Sequence, residues 1–208
     1  MEESEIERMR QDLASIKEFE PRNLFDRMNN NDDHHLTASE IQEFMANNHS
    51  NVTIEQCMDI IVEFDSNLDK TLEYDEFLNI FMPATNRQLR EYCLYRRGPA
   101  YYNDLSRPLP INVSSLVLRI LESEVRLSEK QIIARQELFE HPDHSAKATF
   151  DTVSKGRRDI SMPDLIEFLE RNGYYSTTSE LEGILRRCDH DADRAFCFEE
   201  FCEITGNE

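Results

Sequence analysis

Two windows of this chain place oxygen-bearing side chains at the same steps of a single short frame, and each has a weaker copy 36 residues upstream. The clearer window is FDSNLDKTLEYDEF. Counted from Asp65, it puts Asp65, Asn67, Asp69, Glu73 and Glu76 at positions 1, 3, 5, 9 and 12, with Thr71 at 7 and Leu72 at 8. The other window is CDHDADRAFCFEEF, with Asp189, Asp191 and Asp193 at 1, 3 and 5. Ala195 follows at 7, Phe196 at 8, Cys197 at 9 and Glu200 at 12. Helix-like apolar periodicity flanks both frames, so each reads as helix, tight polar loop, helix.

Coordination chemistry explains the spacing. A calcium ion takes about six to eight oxygens in a flexible shell. A tight loop turns alternate side chains inward, and a carboxylate opening the exit helix closes the shell with two oxygens. Position 8 is apolar, and is expected to pair with the partner loop across a short β-bridge. The first copy, FDRMNNNDDHHLTASEIQEF, anchored on Leu36 at position 8, offers Asn29, Asn31, Asp33, His35, Thr37 and Glu40. Only Asp33 and Glu40 carry charge among its oxygen donors, so weaker binding is expected there. In the third copy, FDTVSKGRRDISMPDL, Val153, Lys155 and Arg157 fall at positions 1, 3 and 5 and cannot ligate calcium. Asp164 stands alone at position 12, so this loop is expected to serve pairing only. Position 6, where a left-handed backbone favours Gly, holds His34, Lys70, Arg158 and Arg194 instead, which is expected to weaken the sites.

On these motifs the chain resembles the calmodulin–troponin C–centrin superfamily of EF-hand proteins over residues 22–82 and 138–205. The resemblance implies an all-α fold, two lobes of paired hands, Ca²⁺ as the ion, and an apolar groove for partner helices. The lobes are expected at 21–82 and 141–208, after an N-terminal helix at 1–20, with a linker at 83–111 and a long helix at 112–140 between them. The general pattern of variable loops and extra docking segments is similar to that of ciliary and centriolar EF-hand proteins of protists.

Helix starts are legible from their caps. Thr37 with Glu40, Thr53 with Gln56, Ser161 with Asp164 and Thr177 with Glu180 fit the reciprocal capping box. Pro21 and Pro163 suit first turns. Residues 4–18 carry Ile6, Met9, Leu13 and Ile16 on one face, which can cover the chain's own lobe or dock elsewhere. The segment 83–111 is broken by prolines. It is the one basic stretch of a chain with net charge −19, and it carries Tyr92, Tyr95, Tyr101 and Tyr102. It reads either as a docking strip for an acidic partner or as a strap over the chain's own acidic lobes. In the long helix, Val113, Val117, Leu121 and Val125 form a stripe that needs a groove or another helix, and a lobe of the same chain would serve. Met28, Met45, Met58 and Met82 favour the N-terminal lobe as the one that would open to a target.

The negative charge argues against nucleic acid, whose phosphates need a basic face. No apolar run reaches membrane-span length, and the acidic start is unlike a secretory signal. The five cysteines form no CxxC pair and read as free thiols of a reducing compartment, hence a cytoplasmic setting such as the cytoskeleton or cilium. With 5 Gly and no nucleophile elbow or phosphate loop, catalysis is not expected. The tripeptide His141-Pro142-Asp143 matches J-domain co-chaperones, but lacks their basic helix. Zinc is not expected at the histidine pairs, because no partner stands at zinc spacing. The expected function is a non-catalytic calcium-binding adaptor in a protein assembly. The alternatives are a calcium sensor whose N-terminal lobe binds a target helix, and a regulatory subunit of an enzyme.

Overall fold

A computed structural model describes residues 2–96, 104–140, 145–189 and 193–205. The fold is all-α. It divides into two compact units, Met1–Ser128 and Glu129–Glu208.

The first unit begins with α1 (Glu2–Ser15) and continues through α2 (Pro21–Met28), α3 (Ala38–Asn47), α4 (Ile54–Phe64) and α5 (Tyr74–Phe81). Two helix–loop–helix hands, α2–α3 and α4–α5, are joined between their loops by an isolated antiparallel bridge, Leu36 to Leu72. Each of those residues donates its N–H to the other's carbonyl at 2.9 Å. The expected pairing of the two position-8 residues is therefore present. The capping boxes at Thr37/Glu40 and Thr53/Gln56 both form, and Pro21 opens α2.

The segment 83–111, expected as a linker, contains a further helix, α6 (Arg87–Tyr95). Its start is fixed by Asn86, whose side chain accepts from the Leu89 N–H at 3.0 Å. Cys93 is fully buried, and Leu89 and Leu94 pack on the core, so this amphipathic turn of chain is held by burial. Two arginines of the basic stretch are spent inside the unit. Arg90 donates to Asn79 at 3.2 Å. Arg96 donates to the Ala14, Ile16 and Phe19 carbonyls at 2.9, 2.5 and 2.5 Å, capping the C-terminal end of α1 with a cation where a helix end favours one. Tyr92 and Tyr95 remain exposed, while Tyr101 and Tyr102 lie outside the described residues.

The long helix α7 spans Ile111–Glu140. Its first half belongs to the first unit. Val113, Val117, Ile120, Leu121 and Val125 join one continuous core with Ile6, Met9 and Leu13 of α1. The same core holds Phe25, Met28, Ile41, Met45, Ile61, Phe77, Phe81 and Met82 of the hands. Of the methionines in the two hands, Met28, Met45 and Met82 are thus buried gap-fillers, and Met58 is partly buried.

The second unit holds two further helix–loop–helix segments. It contains α8 (Ala146–Ser154), β1 (Ile160–Ser161), α9 (Met162–Arg171), α10 (Thr178–Cys188), β2 (Ala195–Phe196) and α11 (Phe198–Thr205). β1 and β2 pair antiparallel, with Ile160 opposite Phe196 and Ser161 opposite Ala195. Boxes at Ser161/Asp164 and Thr177/Glu180 cap α9 and α10. Its core is smaller: Phe150, Val153, Ile160, Leu185 and Phe196 are buried, and Met162, Leu165, Phe168, Ile184, Phe198 and Phe201 only partly so. The tripeptide at 141–143 lies outside the described residues.

Candidate calcium loops

In the second hand the loop folds around its own acids. Asp65, only 2% exposed, accepts the Asp69 and Lys70 N–H groups at 3.3 and 2.6 Å on its two carboxylate oxygens. Asn67 Oδ1 accepts from the Asp69 N–H at 3.0 Å. Asp69 Oδ1 accepts from the Thr71 N–H and hydroxyl at 2.9 and 2.6 Å, and the hydroxyl bond, set against a smaller opposing effect of burial, holds its carboxyl below the usual range. Glu76 is buried, and its two oxygens accept from the Ser66 and Glu73 N–H groups, both at 2.9 Å. The exit-helix carboxylate is therefore fixed from both ends of the loop. Ser66, which the spacing did not single out, adds its hydroxyl to Glu76 at 2.7 Å.

The first hand builds the same frame with fewer charges. Glu40 accepts the Asn30 and Thr37 N–H groups, both at 3.0 Å. Asn31 and Asp33 converge, with the Asn31 amide donating to Asp33 at 2.8 Å. Asp33 in turn accepts the His35 N–H at 3.0 Å, which holds its carboxyl below the ordinary value. Asn29 is 6% exposed, and its Oδ1 is buried without a hydrogen-bond partner. A buried carbonyl oxygen left unpaired costs free energy, and a cation at the loop centre would satisfy it. The donor sets of the first and second loops thus fit a hard, oxygen-seeking ion.

The fourth loop repeats the second where it is described. Asp189 accepts the Asp193 and Arg194 N–H groups at 3.1 and 2.8 Å, Asp193 accepts from the Ala195 N–H at 2.8 Å, and Glu200 accepts from the Cys197 N–H at 2.9 Å. Burial, with Glu200 and Asp193 nearby, pushes the Asp189 carboxyl above its usual value. Cys197 takes a cap role rather than a ligand's, accepting from the Glu200 N–H at 3.5 Å. Asp191 lies outside the described residues.

The third loop does not fit. Asp164, 4% exposed, is engaged by the Arg157 guanidinium and by Lys155 Nζ at 3.6 Å, so two side-chain cations already answer its charge. The turn has also moved. Positive φ falls at Lys155 (57°) and Gly156 (73°), not at Arg158. Elsewhere the position-6 residues adopt the left-handed backbone although they are not glycine: His34 at 73°, Lys70 at 67° and Arg194 at 66°.

Residues 18–82 match the EF-hand domain pair. That match spans the first two hands and implies calcium binding there. No curated protein gives a match to the chain. Among the described residues no helix is long and apolar enough to cross a membrane.

Proposed function

We propose that this chain is a non-catalytic calcium-binding adaptor whose N-terminal lobe is closed on its own helices. The observation that carries this reading is the shared core. Val113, Val117, Leu121 and Val125 of α7, together with Ile6, Met9 and Leu13 of α1, share one buried core with the apolar residues that an opened EF-hand lobe would present to a target. Phe25, Met28, Met45, Phe77, Phe81 and Met82 are each no more than 1% exposed. Calcium at Asn29–Glu40 and Asp65–Glu76 would stiffen such a lobe rather than open it. In the C-terminal unit the ion would go to Asp189–Glu200, and the basic third loop would take none. Together the two units make four hands, three of them with calcium-capable donors.

A lobe that has consumed its own groove suits a fixed component of a protein assembly. The general likeness to ciliary EF-hand proteins makes a cytoskeletal lattice such as the axoneme the setting we favour. A sensor reading has one observation on its side, and it concerns the other lobe: the apolar residues flanking the C-terminal core are only partly buried.

Calorimetric titration with Ca²⁺ against a millimolar Mg²⁺ background, with an environment-sensitive apolar dye, tests the proposal. Binding at two or three sites without added dye fluorescence or a marked heat-capacity signature supports a closed adaptor. A large calcium-dependent gain in dye binding that survives deletion of both C-terminal hands would show that the N-terminal lobe opens, and would overturn it.

A further inference from the structure

The bridge between the first two loops places His35 opposite Glu73, because Leu36 is paired with Leu72 in antiparallel register. Residues directly opposite in such a ladder bring their side chains together on one face. Asp69 reaches the same point from the turn before. One ligand atom each from His35, Asp69 and Glu73 lies within 4.8 Å of the other two. The Thr71 hydroxyl stands 3.5 Å from His35 Nδ1, at the edge of the same cluster. His35 is half-buried, while Asp69 and Glu73 are exposed.

We propose that His35, Asp69 and Glu73 form a site for a divalent transition-metal ion of the zinc type, shared between the two loops. In a calcium hand position 7 contributes its carbonyl, so the imidazole of His35 is not called on by calcium. Imidazole nitrogen is a poor donor for calcium and a good one for zinc, and one nitrogen with two carboxylate oxygens leaves a fourth tetrahedral position for water. Metal–ligand distances of about 2.0–2.2 Å call for donors about 3.4 Å apart, a closure within the reach of two exposed side chains. Since Asp69 and Glu73 are also positions 5 and 9 of the second calcium loop, zinc and calcium draw on the same two carboxylates. Each ion then lowers the other's affinity by the same factor. The inference shares those residues with the proposed calcium site but depends on His35, which that site does not need.

The test titrates the full-length chain with Zn²⁺ alone, with Ca²⁺ alone, and with each in the presence of the other, for the wild type and His35→Gln. Zinc binding at this site is expected to weaken at least tenfold in His35→Gln while calcium affinity stays within twofold. Wild-type calcium affinity at the second loop is expected to fall when zinc is added, and to fall less in His35→Gln. Zinc binding and competition that His35→Gln leaves unchanged would overturn the site. Loss of calcium binding to Glu76→Gln bears on the calcium reading alone, so the two proposals fail separately.

Discussion

Arg10 of α1 and Glu124 of α7 form an ion pair in which both side chains are fully buried. The same guanidinium donates to Glu3 at 2.7 Å and to the Ile80 carbonyl at the end of α5 at 2.8 Å. One arginine thus ties together the two helices that cover the N-terminal lobe and the last helix of the lobe itself. A buried pair of this kind adds little net stability over a well-packed apolar pair, but losing one partner leaves the other charge stranded. Arg10→Ala is expected to cost about 3–5 kcal/mol in urea unfolding. Arg10→Met with Glu124→Leu is expected to recover part of that loss, so the two changes combine to less than their sum.

Acid should loosen the same region through Glu7. Its carboxylate, 2% exposed, accepts from the Ala84 N–H at 3.1 Å, the Thr85 N–H at 2.9 Å and the Thr85 hydroxyl at 2.7 Å. Burial alone would push this group up. The hydrogen bonds from Thr85 and Ala84 outweigh it, and the net value lies below the ordinary 4.5. A carboxylate lowered in the folded state stabilises fully above its unfolded value, and that stability is lost as pH falls through the folded value. Glu7→Gln is expected to lose about 1–2 kcal/mol at neutral pH and to show a flatter loss of stability below about pH 4.5. Chemical denaturation at a series of pH values checks both.

Much of this organisation was legible in the chain. The oxygen spacing located the loops, and the Thr and Ser boxes located the starts of α3, α4, α9 and α10, because caps and ligand frames are local chemistry. The apolar pairing of Leu36 with Leu72 and of Ile160 with Phe196 followed from the same frame. What stayed hidden was non-local. Arg90 and Arg96 read either as a docking strip or as a strap over the chain's own acidic lobes, and both are spent within the unit on an amide and on carbonyls rather than on acids, while Cys93 anchors a helix in a stretch marked by prolines. The burial of Arg10 against a glutamate 114 residues away leaves no trace in sequence periodicity. The methionines pointed to an opening groove because composition cannot show that α1 and α7 share the core of that lobe. His35 was weighed as a metal ligand and set aside for want of a partner at zinc spacing, because the carboxylates it meets, Asp69 and Glu73, belong to the other loop.

The two lobes offer a matched test of backbone strain. After α3, His49 sits at φ 68°, and after α9, Gly173 sits at φ 81° in the same place. Each is followed by a residue whose N–H returns to the helix: Ser50 to Met45 at 3.0 Å and Tyr174 to Leu169 at 2.8 Å. A left-handed non-glycine residue costs roughly 1–2 kcal/mol, part of which glycine gives back through a freer unfolded chain. His49→Gly is therefore expected to stabilise by about 0.5 kcal/mol. A Cβ at Gly173 would meet nothing within 4 Å, so Gly173→Ala adds no clash, and the backbone penalty less the gain from a stiffer unfolded chain gives an expected loss of about 0.5–1 kcal/mol in thermal or urea unfolding.

Asp189 carries the clearest opposition between stability and ion binding. Burial raises its carboxyl, and the nearby Glu200 and Asp193 charges raise it further, more than the Arg194 and Asp193 N–H groups lower it. An acid raised in the folded state favours folding at low pH and loses that contribution as pH rises through its folded value. At neutral pH without calcium, the ionised Asp189 is therefore a cost. Asp189→Asn is expected to stabilise the calcium-free C-terminal unit by about 0.5 kcal/mol, a value discounted for solvent screening, and to remove the rise in stability on adding calcium there. Unfolding of both proteins with and without calcium reads both effects. A calcium-free variant less stable than wild type at neutral pH would mean that the carboxylate is held by its hydrogen bonds more than it is repelled by its neighbours.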